Sequence, residues 1–218
     1  MSMSPRLRWG GALGGVLMLA ALAGCAQSAP TRYYTLSTAT QQQPTAQQSA
    51  KGLVIGLGPL SLPQYLDRPD IVTRAGAHQM KLAEQSKWAE ALEPLLTRIM
   101  AEDLYGLLDA NDVIPIPQRG DLPLDRVVEV DFTRFDASEA GEVTLDARWR
   151  VYRGDHDTLV ASGRSQIAEQ GAAVPDYDAI VAAMSRAVGQ LSAEIATAIP
   201  TGAPVTARQP RADMRPGA

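Results

Sequence analysis

Between Glu142 and Arg153 the chain alternates without a break. Val143, Leu145, Ala147, Trp149 and Val151 interleave with Thr144, Asp146, Arg148, Arg150 and Tyr152. Successive side chains of a strand point to opposite faces, so this stretch makes a strand with one dry and one wet face. A one-sided sheet must bury its dry face against another layer. The flanking segments extend the pattern. Val128, Val130 and Phe132 alternate with Glu129, Asp131 and Thr133. Residues 153–157 (Arg-Gly-Asp-His-Asp) form a turn, and Thr158 to Gln170 returns as a strand. Acids on one strand and arginines on its neighbour suit cross-strand pairing.

Two amphipathic helices supply the second layer. From 88 to 109, Trp88, Leu92, Leu95, Leu96, Ile99, Met100, Leu104, Leu107 and Leu108 recur at three- and four-residue spacing, with Pro94 in the first turn. Glu102 and Asp103 are expected on that helix's solvated side. The second helix runs from an N-cap at Asp176, after Pro175, to Ile199. Its stripe is Ile180, Met184, Val188, Leu191, Ile195 and Ile199, and Pro200 stops it. Further strands are expected at 33–36, at 53–57 (ended by Gly58-Pro59), at 71–74 with a hairpin return over 78–84, and at 113–116. The resulting fold class is α+β: a two-layer α/β sandwich of a mainly antiparallel sheet and two long amphipathic helices.

The chain opens with Arg6 and Arg8, has no acid before Asp67, and continues into GALGGVLMLAALAG. A spanning helix needs about 20 apolar residues, and this run is shorter and followed by small residues. Residues 1–24 therefore read as a secretory signal. Leu22-Ala23-Gly24-Cys25 resembles a bacterial lipobox, in which the cysteine is acylated and becomes the first residue. Cys25 is the only cysteine, so no internal disulfide exists and a covalent lipid accounts for its solitude. A chance cysteine after an ordinary signal, or an uncleaved anchor, are the alternatives. Two or more acyl chains hold a protein on a bilayer stably. Ala26, where an inner-membrane lipoprotein carries aspartate, favours the periplasmic face of the outer membrane. Residues 25–32 form a lipidated tether, short if 33–36 docks as a strand: about seven residues span at most ~25 Å. The Gln-rich stretch 37–51 reads as a flexible loop within a single domain of 33–200, and 201–218 as a disordered tail. Without residues 1–24 the chain carries 18 basic and 24 acidic residues, a net charge of −6. That balance argues against nucleic acid as a partner.

No catalytic constellation stands out. Of the two histidines, His78 falls in a hairpin and His156 in a solvated turn, with no set of thiolates or imidazoles at ligand spacing. No Gly-x-Ser-x-Gly elbow occurs. Gly56-x-Gly58 runs into Pro59 and lacks the third glycine and the helix of a phosphate cradle. The chain reads as a non-enzyme with no cofactor beyond the lipid on Cys25.

The stretch that stands out is GPLSLPQYLDRPDIVTR at 58–74. Its prolines pre-set an extended path, and Tyr and Arg are favoured interface anchors. Leu62, Pro63, Tyr65, Leu66, Arg68 and Arg74 are the candidate partner-binding residues. The alternative is a structural crossover, with Tyr65 and the leucines packed on the domain and Arg68 in a local ion pair.

YYTL near a lipobox, then VIGLGPLSLPQYLDRPDIVTR, then KWAEALEPLLTRIMAEDLYGLL, resembles the PqiC-type ABC-type transport auxiliary lipoproteins. The likeness runs from about Tyr33 to Ile199. It implies an outer-membrane lipoprotein that works with an MCE-domain tunnel protein carrying lipids across the periplasm, as a docking part in place of a catalyst. A homo-oligomeric ring would suit such a tunnel's symmetry. A lipid-binding carrier, and less so an envelope hydrolase using His156, are the competing functions.

Overall fold

A computed structural model describes residues 30–38, 50, 52–116, 123–154 and 156–199. Cys25, the expected signal over 1–24, most of the Gln-rich stretch and the expected tail over 201–218 lie outside the described residues.

Eight strands form one sheet: β1 (Arg32–Tyr34), β2 (Val54–Ser61), β3 (Asp70–Arg74), β4 (Met80–Trp88), β5 (Asp112–Pro115), β6 (Arg126–Ser138), β7 (Glu142–Arg153) and β8 (Leu159–Gln170). Among the described residues two helices accompany the sheet, α1 (Leu92–Leu108) and α2 (Tyr177–Ala198). Helix α2 packs on β7 and β8, α1 on β2 and β5, and the helices pack on each other. The architecture is the expected α+β two-layer sandwich. The sheet is mixed: its long pairings, β6 with β7 and β7 with β8, are antiparallel, while β1 with β4, β2 with β5, and β6 with both β2 and β3 pair parallel over shorter runs.

The alternation in β7 works as its pattern requires. Val143, Leu145, Ala147 and Val151 are buried, and Trp149 nearly so. Trp149 lies opposite Gly163 of β8. A Cβ at Gly163 would stand 2.2 Å from the indole, so the glycine makes room for the ring. The indole N–H then donates to Ser165 (3.1 Å), whose hydroxyl bonds Glu194 of α2. The expected acid–arginine pairing across β6 and β7 is weak: Glu129 reaches Arg150 only at 4.0 Å.

Several features differ from those expected. Helix α1 begins at Leu92 because Trp88 belongs to β4, where it pairs with Tyr34. Pro94 is thereby in the first turn. Strand β2 does not stop at Gly58-Pro59 but shifts register between Leu57 and Leu60 and continues to Ser61. Gly58 adopts φ 135°, and a Cβ there would meet the Ile116 carbonyl at 2.5 Å. Asp103, expected in solvent, is fully buried and accepts from Ser192 of α2 at 3.4 Å, while Glu102 stays outside. Its place on the Ile99–Leu107 stripe puts it between the helices, where a carboxylate needs polar company. Helix α2 starts as its cap dictates, with the Asp176 carboxylate accepting from the Ala179 N–H at 3.1 Å.

Candidate functional site

Strand β6 is the longest in the sheet, and its two edges are used differently. One edge pairs with β7 along most of its length. The other carries β2 as far as Asp131 and β3 only from Ala137. The sheet therefore forks, and between the branches β6 has an open stretch of edge. Backbone groups buried without partners are costly, so a fork needs a plug. Residues 62–69, which connect β2 to β3, provide it.

The plug's centre is Tyr65, in a short 3₁₀ turn (Gln64–Leu66) between Pro63 and Pro69. Its hydroxyl accepts the Phe135 N–H from the open edge (3.3 Å) and donates to the Asp136 carboxylate (3.0 Å). Asp136 is fully buried. Arg74 grips it with two bonds, from Nε at 3.1 Å and a terminal nitrogen at 3.0 Å. Arg134 adds a bond from a terminal nitrogen at 3.1 Å. A buried charge is tolerated when paired and fully hydrogen-bonded, and this one has three donor side chains.

Burial is the largest single influence on the Asp136 carboxyl and would raise its pKa. The hydrogen bonds from Arg74, Arg134 and Tyr65 outweigh it and hold the group below the usual carboxylate range. Tyr65 is pushed up to about 12, first by burial and then by the Asp136 charge, against the lowering effect of the Phe135 bond. The Arg74 guanidinium is held more firmly protonated, chiefly by its hydrogen bond to Asp136. At neutral pH the cluster is a fixed arrangement of one anion, two cations and a neutral phenol, with no group poised to exchange a proton.

The candidate residues divide accordingly. Leu66 is buried in the core, and Leu62 and Tyr65 pack against it half-buried. Arg74 is committed to Asp136. Arg68 is exposed and makes no ion pair among the described residues; the local ion pair belongs to Arg74 instead. Leu62, Pro63 and Arg68 are left with surface to offer. Asp136 and Arg134 went unnoticed in the sequence. Their signal was the spacing of Phe132 and Phe135, both buried yet three residues apart. That break in the two-residue period marks the register shift between Phe132 and Arg134, which sets Arg134 and Asp136 on the face opposite Phe135.

His156 sits in its turn at φ 61°, stacked on Tyr152 with ring centres 6.4 Å apart. No group of metal-ligating side chains occurs among the described residues. Nor is any helix among them long and apolar enough to cross a membrane.

Fold and site together define a two-layer α+β domain in which a buried polar cluster holds the 62–69 loop against β6. A family model of the ABC-type transport auxiliary lipoprotein component matches residues 34–196. The chain belongs to that family, and is thus a lipoprotein that serves ABC-type transport. Among solved structures it is similar to a Xanthomonas campestris protein, at 17% identity and TM-score 0.63, covering 75% of this chain and 92% of that one. It is also similar to an uncharacterised protein, at 19% identity and TM-score 0.61, covering 77% of this chain and 97% of the other. At these identities the likeness shows the fold. No curated protein matches the chain.

Proposed function

We propose that this chain is the lipid-anchored docking component of an MCE-type intermembrane lipid transport system, receiving the tunnel protein at the periplasmic face of the outer membrane. The anchor is Cys25, acylated after removal of residues 1–24, and the chain catalyses nothing. The observation that carries the reading is the loop at 62–69. It is held by the Tyr65–Asp136–Arg74–Arg134 cluster, yet keeps Leu62, Pro63 and Arg68 at the surface. A loop already ordered by prolines and buried hydrogen bonds loses little entropy when a partner binds, as a docking part requires. Membership of a transport auxiliary lipoprotein family supports the same direction. A ring of copies would match the symmetry of a tunnel.

Crosslinking in cells that express both proteins, followed by capture through the lipoprotein, tests the reading. Recovery of the tunnel protein is expected, with reduced recovery from Arg68→Ala. Absence of the tunnel protein from the captured material would remove the docking role. Intact-mass measurement of the mature protein tests the anchor separately: acyl chains on residue 25 are expected, and an unmodified thiol would exclude it.

A further inference from the structure

Strand β1 is the first described element after Cys25, and it lies open. Six residues, 26–31, separate Cys25 from Arg32. Fully extended, that interval reaches about 25 Å at most. β1 pairs with β4 along one edge, and its other edge carries no strand among the described residues. Tyr33, at its centre, is 68% exposed, more than any other large apolar or aromatic side chain among them.

Register enlarges this patch. Tyr33 lies opposite Lys87 of β4, Lys87 opposite Asp70 of β3, and Leu82 of β4 opposite Val72 of β3. Alternation along β3 sets Asp70 and Val72 on one face, so Tyr33, Lys87 and Leu82 share that face. Lys87 accordingly pairs with Asp70 at 3.5 Å. Leu82 is 46% exposed. Arg32, beside Tyr33 in β1, is exposed and makes no ion pair among the described residues.

Tyrosine joins an apolar ring to a polar hydroxyl and is favoured at membrane–water interfaces, while a guanidinium suits phosphate. From the short covalent reach and the open edge together we propose that the β1–β4 edge is a membrane-contact surface. Tyr33 and Leu82 enter the headgroup layer of a phospholipid bilayer, and Arg32 meets lipid phosphate. The occupant follows from the chain itself: acyl chains on Cys25 hold the start of β1 within about 25 Å of the bilayer. The inference rests on the proposed acylation of Cys25 and deepens it by assigning the side of the domain that meets the membrane. The acyl chains supply the anchorage, and the edge supplies orientation. Helix α1 packs on β2 and β5, at the other end of the strand order from β1, and belongs to the side facing away.

The test uses the full-length protein in cell membranes. A benzophenone amino acid replaces Tyr33, Leu82 or, as the control, Tyr105 of α1, which is 55% exposed. After irradiation, mass spectrometry of the labelled peptides reads phospholipid adducts. The probes at Tyr33 and Leu82 should give roughly tenfold more phospholipid adduct than the probe at Tyr105, because only the first two sit in the interface. If the protein does not fold with the probe at Tyr33, the probe at Leu82 decides. Adducts no more abundant than at Tyr105, or adducts to protein in place of phospholipid, overturn the contact surface. Intact mass keeps the two readings apart. Acyl chains on Cys25 without phospholipid adducts at the edge remove this inference alone, whereas an unmodified Cys25 removes the anchor on which it rests.

Discussion

The Tyr65 hydroxyl serves one donor and one acceptor at once, and the energetics of the site turn on that. Removing it by Tyr65→Phe leaves the Phe135 N–H and the Asp136 carboxylate each short of a partner. Stranding a buried polar group costs about 1–3 kcal/mol, so the variant should unfold at clearly lower urea with an unchanged slope. Arg68→Ala, which removes no bond, should stay within about 0.5 kcal/mol of wild type. The cluster also predicts a pH response with two limbs. Asp136 has a lowered pKa in the folded protein, against about 3.9 unfolded. Its stabilisation is complete above the unfolded value and is lost as pH falls through the folded one. Tyr65, raised to about 12, contributes stability present below about pH 10 and lost as pH climbs towards 12. Denaturant midpoints measured across pH should show both limbs. Asp136→Asn should flatten the acid limb and Tyr65→Phe the alkaline one. A Tyr65→Phe profile that kept its full alkaline limb would show that another group carries it.

At the scale of elements, the sheet depends on a few close fits. Gly163 is required by the Trp149 ring on the neighbouring strand. Gly163→Val should displace the indole, break its bond to Ser165 and cost about 1–3 kcal/mol by overpacking. A red-shifted tryptophan emission would report the displacement. Asp176→Ala should cost about 0.5–2 kcal/mol by leaving the Ala179 N–H without its cap, measurable as a lower melting temperature. Much of this level was legible beforehand. The cap at Asp176 and the clean alternation of β7 rest on local chemistry. The start of α1 was not, because Trp88 fits a helical spacing as well as a strand; only pairing with Tyr34 decided it. Asp103 was misplaced for a related reason: its polarity suggested solvent, although its spacing from Ile99 and Leu107 already placed it on the buried stripe.

For the whole molecule, the proposed anchorage and the proposed docking are separable. Cys25→Ala should move the protein from the membrane to the soluble fraction with no change in its melting temperature, since the described core begins beyond that residue. Retention of the variant on the membrane would point to the uncleaved apolar run or to another contact as the anchor. The net charge of −6 without residues 1–24 makes electrostatic binding to anionic lipid a poor substitute for acyl chains.

The sequence by itself determined the two helices, the one-sided strands and hence the two-layer class, because hydrophobic period is a local property. It also marked out 58–74 as unusual and placed the only cysteine after an apolar run. Only the tertiary structure decided what 58–74 does. Tyr65 and Asp136 are 71 residues apart, and they meet because β6 changes register at one point and shares one edge between two strands. A bulge and a fork are long-range consequences of packing, and no local pattern encodes which distant side chain will fill the gap they open.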